Sequence, residues 1–298
     1  MKYVFYKSEI GNFGDDLNAW LWPKIFDTVN EIKKDSFFFG IGSLLCSKSE
    51  LVTPVEGKNK IVFGSGIRPA YKPFIPDSSW DIRFLRGPLS ALSLSGKYDY
   101  IADAAYASRL ISDFKKYETL EKKYKISVMP YFRSVRYFNW ENICRNLGYH
   151  YISPLSESGV EQTFTEIASS GLIITESLHG AIIADLLRIP WSRFVLSTPY
   201  TEGSMVSEFK WMDWLYSIGL PNINTTYIKF YRKSVINKAI KKITFDAMHV
   251  EFLVKKIIRQ DILSKLSSVN EYYLSSDDVI KRIDVRLAEK IYELKTGI

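Results

Sequence analysis

The sequence predicts an α/β protein in two halves, each with its own parallel sheet, followed by a helical C-terminal extension. Three observations carry this. Residues 171–197 have the pattern of one strand–helix–strand unit, the unit from which parallel sheets are built. Short apolar runs alternate with helical spacing on both sides of a charged, poorly patterned segment at 111–125, which places a domain boundary between residues 122 and 123. From about residue 228 onward only helical spacing remains.

Composition narrows the class. A chain of 298 residues is long enough for two cores, and 46% hydrophobic with 24% charged residues is ordinary for a globular protein. No stretch approaches the roughly 18 apolar residues of a membrane span. The N-terminus lacks the apolar run and cleavage site of a signal peptide. Cys46 and Cys144 stand far apart without metal-ligand spacing, and the three histidines are scattered, so neither a zinc site nor a disulfide framework is expected. A reduced, cytoplasmic protein is the simplest account. The net charge of +7 is unevenly spread, since residues from Lys229 on hold 15 basic and 9 acidic side chains. Basic residues are not interleaved with aromatics as in an RNA-binding sheet, which disfavours nucleic acid.

Taken in order, Met1–Tyr6 predicts the first strand. The loop Gly11-Asn12-Phe13-Gly14-Asp15-Asp16 follows, with Asp15 or Asp16 capping a helix that starts near Leu17. Two carboxylates in a first turn would repel phosphate, so Asn12, Asp15 and Asp16 suit a sugar hydroxyl or a base better than a phosphate cradle. Phe37–Ser43 and Ile61–Ile67 are apolar strands ending in glycines, the second leading to Arg68. Ile82–Leu85 precedes Arg86 and a helix opened by Pro88. Tyr100–Ala102 is the next strand, with Asp103 at its end. Strand ends in this half thus carry Asp15, Asp16, Ser65, Arg68, Arg86 and Asp103, the pattern of a cleft.

In the second half, Ile126–Met129 leads to Arg133, helices are expected over 140–147 and 160–168, and His150–Ile152 lies between them as a strand. Leu172–Ile174 then runs into Thr175, Glu176 and Ser177, and a helix begins at Leu178. With Ser177 as cap, the amides of His179, Gly180 and Ala181 point outward as an anion site. Gly180 lets a ligand approach the backbone. The plainer account of His179, a buried histidine satisfied by its neighbours, stands level with this one. A helix is expected near Glu208–Ile218, and three more over 228–243, 247–265 and 277–295. Their basic faces suit solvation on packed helices, or peripheral contact with anionic lipid.

The ordered set Gly11–Asp16, Phe63-Gly64-Ser65-Gly66, Arg86-Gly87-Pro88, Asp103 and Thr175-Glu176-Ser177-Leu178-His179-Gly180 resembles the polysaccharide pyruvyl transferase family, most of all its ketal-forming members that act on bacterial exopolysaccharides such as xanthan and succinoglycan. The resemblance covers about residues 3–197. It implies two Rossmann-like domains facing a cleft, as in GT-B glycosyltransferases, with residues 1–122 on the acceptor side and 123–298 on the donor side. It implies phosphoenolpyruvate as donor, a terminal sugar of a glycan or lipid-linked oligosaccharide as acceptor, and no metal or redox cofactor. Ketal formation needs a proton at the methylene carbon, attack by two hydroxyls, and groups that hold a carboxylate and a phosphate. His179 is the expected acid or phosphate ligand. Asp16, Asp15 or Asp103 would draw the hydroxyl proton, and Glu176 either orients His179 or serves as a second carboxylate. Arg86 is the expected carboxylate clamp. Many family members have Arg-Leu-His where this chain has Ser177-Leu178-His179, so Arg68, Arg86, Arg133 or Arg136 must supply the missing charge. A nucleotide-sugar glycosyltransferase and a non-catalytic glycan-binding homologue are the rival readings.

Overall fold

The computed structural model describes residues 1–26, 35–47, 49–70, 72–230 and 247–297. Two parallel sheets form its frame. The first contains β1 (Lys2–Val4), β2 (Phe37–Phe39), β3 (Lys60–Phe63) and β4 (Trp80–Phe84) in sequential order, with Val4 opposite Phe39 and Phe39 opposite Val62. One face is covered by α1 (Phe13–Phe26), whose Trp22 sits against Phe26, Phe38 and Phe63. Because side chains alternate along a strand, Phe39 and Val62 turn to the opposite face and pack with Leu44, Val52 and Phe74. Helix α2 (Pro88–Ser93) follows the sheet.

Helix α1 starts four residues before the expected Leu17. The Asp16 amide donates to the Asn12 carbonyl at 2.9 Å, and the Asp16 carboxylate accepts the Asn12 N–H at 3.1 Å, so the first turn closes on Asn12. The expected strand Tyr100–Ala102 reduces to one bridge between Tyr100 and Leu85. The Asp103 carboxylate accepts the Ala105 amide at 3.0 Å and turns the chain into the tight helical stretch Ala104–Leu110.

The second sheet contains β5 (Ser127–Met129), β6 (His150–Tyr151), β7 (Ile173–Thr175), β8 (Trp191–Val195) and β9 (Thr225–Tyr227), in the order β6-β5-β7-β8-β9, all parallel. Its helices are α3 (Trp140–Leu147), α4 (Val160–Ala168), α5 (Leu178–Leu186) and α6 (Ser204–Ser217). Strand β9 lies between the helices expected near 208–218 and 228–243, where no element was assigned from the sequence. Of the expected helix at 228–243, residues 231–243 fall outside the described residues, and 228–230 are not helical.

Two long helices close the chain, α7 (Ala247–Ser267) and α8 (Asp277–Thr296). Ile258, Ile262 and Leu266 of α7 pack with Val128, Trp140 and Phe194 on the second sheet. Helix α8 crosses back to the first half and lies on Ala104–Leu110, where Arg109 Nε donates to both Asp284 oxygens at 3.0 Å. Among the described residues no helix is long and apolar enough to cross a membrane.

Candidate active site

A cavity of about 430 Å³ opens beyond the C-terminal ends of strands from both sheets, the place where open α/β sheets bind ligands. From the first half it is lined by Tyr6, Asn12, Asp15, Ser43, Arg68 and Arg86; from the second by Tyr131, Arg133, Ser177, His179, Glu202 and Lys210. Seven of the residues expected from sequence meet there: Asn12, Asp15, Arg68, Arg86, Arg133, Ser177 and His179. Asp16, Ser65, Asp103, Glu176 and Gly180 do not line it.

Arg86 is almost fully buried. Its Nε donates to Asp213 Oδ2 at 3.0 Å and its Nη1 to Ser43 Oγ at 2.8 Å, while Nη2 has no partner among the described residues. Gly66 makes room for it, since a Cβ there would lie 2.3 Å from Nη2. Asp213 belongs to α6 and also accepts the Ser90 amide at 2.9 Å and the Ser90 hydroxyl at 2.6 Å. The residue that orients Arg86 therefore also caps the first turn of α2.

His179 stands at the start of α5, its side chain 14% exposed. Its ring lies over α1, where a Cβ on Gly14 would come within 2.0 Å of Nδ1. Among the described residues, buried Nε2 has no hydrogen-bond partner; it lies 3.8 Å from Asp103 Oδ1, whose fellow oxygen Oδ2 likewise has none. Burial, then the charges of Lys210 and Arg86, lower the His179 pKa to about 3, so the imidazole is neutral. Burial raises Asp103 to about 6, with Arg86 opposing. Burial likewise raises Asp15 to about 7, opposed by its hydrogen bond from Asn12 and by the charge of Lys210. A carboxyl poised near neutral pH beside a neutral imidazole can exchange protons with a ligand.

The remaining expected residues serve the framework around the cavity. Glu176 is buried beneath the surface. Its Oε1 accepts the amides of Leu196, Ser197 and Thr198 at 3.0, 2.7 and 3.0 Å, and its Oε2 accepts the Tyr131 amide at 3.2 Å and the Ser134 hydroxyl at 2.5 Å. This carboxylate ties together the loops that follow β5 and β8, with its lone pairs already committed. Ser65 Oγ donates to the Gly42 carbonyl at 3.0 Å and accepts the Leu44 amide at 3.3 Å, shaping the cavity-lining turn. Gly180 faces inward, where a Cβ would sit 2.5 Å from Thr175 Oγ1 and 2.9 Å from Met129 Sδ; the missing side chain serves helix–strand packing. Ser177 occupies the cap position of α5 but its hydroxyl makes no capping bond. Arg136 is exposed and donates to the Tyr137 hydroxyl at 2.7 Å, away from the cavity.

Tyr6, Ser43, Tyr131, Glu202 and Lys210 were not foreseen. Lys210 interrupts the aromatic run Phe209–Trp214 of α6, a signal that marks an amphipathic helix equally well. Among the described residues no group of three or more His, Cys, Asp or Glu side chains could hold a metal ion.

Comparison with known proteins agrees with the motif order. Residues 7–195 match the family model described as polysaccharide pyruvyl transferase. The succinoglycan biosynthesis protein ExoV of Rhizobium meliloti (strain 1021) is 35% identical over 222 residues, 74% of this chain and 66% of that protein. The chain thus spans just under two thirds of the length of this relative. Among solved structures, the crystal structure of a functional uncharacterized protein KP1_0663 from Klebsiella pneumoniae subsp. pneumoniae NTUH-K2044 is similar with a TM-score of 0.43 and 18% identity, covering 76% of this chain and 92% of that one. The chain belongs to the polysaccharide pyruvyl transferase family.

Proposed function

We propose that this protein transfers pyruvate from phosphoenolpyruvate to a terminal sugar of a bacterial surface polysaccharide or its precursor, forming a cyclic ketal. The observation that carries the reading is Arg86: a buried guanidinium whose Nη2 has no partner among the described residues, in the same cavity as His179 and Lys210. A cationic wall beside the N-terminus of α5 suits a ligand bearing both a carboxylate and a phosphate. In this reading the two halves, 1–122 and 123–298, are Rossmann-like domains in a GT-B-like arrangement, with acceptor on the first and donor on the second. No metal or redox cofactor takes part.

Two hydroxyl oxygens of the sugar bond to C2 of the donor, and the C2–O bond to phosphate breaks. Of the two hydroxyl protons, one is balanced by the proton added to the methylene carbon and the other leaves with phosphate. Burial, and after it the charges of Lys210 and Arg86, depress His179; the bound anion favours the imidazolium against both, and in this reading His179 delivers its proton to the methylene carbon. Asp103, 3.8 Å away, steadies the imidazolium. Asp15 accepts a hydroxyl proton, since its carboxyl titrates near neutrality; Asp16 is occupied with the Asn12 amide. Tyr6, at the cavity and 41% exposed, offers an aromatic face to the sugar. The enzyme is cytoplasmic in this reading, and its basic tail contacts the inner face of the membrane, which co-flotation with anionic vesicles at low salt tests.

The direct test is acceptor-dependent phosphate release from phosphoenolpyruvate, measured with a panel of terminal sugars for wild type and His179→Ala. Release by wild type and its loss in the variant is the expected result. Transfer from a nucleotide sugar without any response to phosphoenolpyruvate would overturn it in favour of a glycosyltransferase.

A further inference from the structure

Lys210 and Glu202 form an ion pair inside the cavity, not on its rim. Lys210 Nζ donates to Glu202 Oε1 at 2.8 Å and Oε2 at 2.6 Å, with side chains only 14% and 10% exposed. Removing two charges from water is costly, and their mutual attraction rarely gives back more than is lost. Such a pair is therefore weak evidence of a structural brace. Both side chains face the open volume shared with Arg86 and His179.

An ammonium group has three donors. Two go to Glu202, and the third has no hydrogen-bond partner among the described residues; the nearest aromatic face is Tyr131, 5.5 Å from Nζ. Lys210 lines the same cavity as His179 and Asp15, the two groups with which a reacting ligand would exchange protons. Arg86 is paired in the same way with Asp213 and keeps its Nη2 as a second donor to the same ligand. Glu202 belongs to the turn Pro199–Gly203, which Arg133 Nη1 holds in place through the Thr201 carbonyl at 2.7 Å. The Glu202 side chain can leave Lys210 by rotating its own torsions, without backbone movement. Both residues lie beyond the segment 7–195 that matches the family.

We propose that Lys210 is an anion-binding residue of this cavity, and that Glu202 is its internal counter-ion, displaced when a phosphate- or carboxylate-bearing ligand enters. This rests on the pyruvyl-transfer reading for the identity of the ligand, and on geometry alone for the anion site. The two side chains then have opposite effects on affinity. Lys210→Met removes the binding charge, whereas Glu202→Gln removes the competitor and leaves Lys210 waiting for an anion. A mere brace between turn and helix would make both substitutions act in the same direction.

The test is calorimetric titration of the full chain with phosphoenolpyruvate and, separately, with inorganic phosphate. Wild type, Lys210→Met, Lys210→Arg and Glu202→Gln are compared at low salt, and circular dichroism confirms that each is folded. Lys210→Met is expected to weaken phosphoenolpyruvate binding at least tenfold, Lys210→Arg to stay within threefold of wild type, and Glu202→Gln to tighten binding threefold or more. Shifts of the same sign in Lys210→Met and Glu202→Gln, or none, overturn the assignment. Opposite shifts seen with phosphate, in a protein that ignores phosphoenolpyruvate, keep Lys210 as the anion ligand and overturn the donor. Wild type that binds neither overturns the anion site, and the turnover assay then decides the pyruvyl-transfer reading by itself.

Discussion

At the scale of single residues, the cavity depends on one absent side chain. The His179 ring occupies the space where Gly14 would carry a Cβ, 2.0 Å from Nδ1. Gly14→Ala cannot be absorbed by a flexible chain end, because the ring is held between α1 and Asp103. The expected outcome is a displaced imidazole and a loss of turnover on the order of 100-fold, with a stability loss of about 1–3 kcal/mol. Phosphate-release kinetics and denaturant unfolding read the two effects separately. The protonation states give a further prediction. The pKa of His179 in the fold, about 3, lies below its ordinary value of 6.5. The unfolded chain therefore binds a proton before the fold does, and the fold loses stability as pH falls from 6.5 towards 3. His179→Gln should lose less stability over that window, a difference measurable as Tm against pH. Asp15 has the opposite sign. It is raised to about 7, so a catalytic role as base requires kcat/KM to rise with pH through about 7. Asp15→Asn should abolish that limb along with the activity.

At the scale of elements, the start of α5 is positioned by a carboxylate that makes no contact with the cavity. Glu176 collects amides from Leu196, Ser197, Thr198 and Tyr131, and thereby fixes the loops that carry Arg133 and lead to Glu202. Glu176→Gln turns one acceptor into a donor facing other donors. It should cost about 1–3 kcal/mol in urea unfolding, and it should weaken substrate binding although the residue does not line the cavity. The sequence made the strand–helix–strand unit legible because β7, α5 and β8 each carry a continuous apolar pattern, and the helix expected over 140–147 is α3 with the same bounds. It misled where local polarity was ambiguous. Asp16 and Glu176 had the right chemistry for catalysis, but Asp16 closes its own first turn on the Asn12 amide, and Glu176 is taken up by amides of loops that only the tertiary fold brings to it. Strand β9 was missed because Thr225–Tyr227 is three residues long and half exposed. Lys210 was missed because nothing local separates a cation on a cavity wall from one on a solvated helix face.

At the scale of the whole molecule, the two sheets are not independent bodies. One apolar core joins α1 to α5 and α8. The Tyr106 hydroxyl of the first half donates to Asp185 Oδ2 of α5 at 2.7 Å, and the same carboxylate accepts the Ser275 amide at 2.8 Å and hydroxyl at 2.6 Å just before α8. Arg109 adds a bond to the Leu186 carbonyl at 2.7 Å. Residues 1–122 expressed alone would expose the surfaces that α5 and α8 cover, including Tyr106, which is fully buried in the intact chain. That apolar area is lost at roughly 25 cal/mol per Å², against a net domain stability of only about 5–15 kcal/mol. The fragment is therefore expected to lack a cooperative transition, and the full chain to unfold in one calorimetric step. Tyr106→Phe leaves Asp185 three of its four hydrogen bonds and should lower the Tm without splitting that step. Two separated transitions, or a cooperatively folded 1–122 fragment, would mean that the shared core contributes little and that the cavity is formed by two bodies free to move against each other.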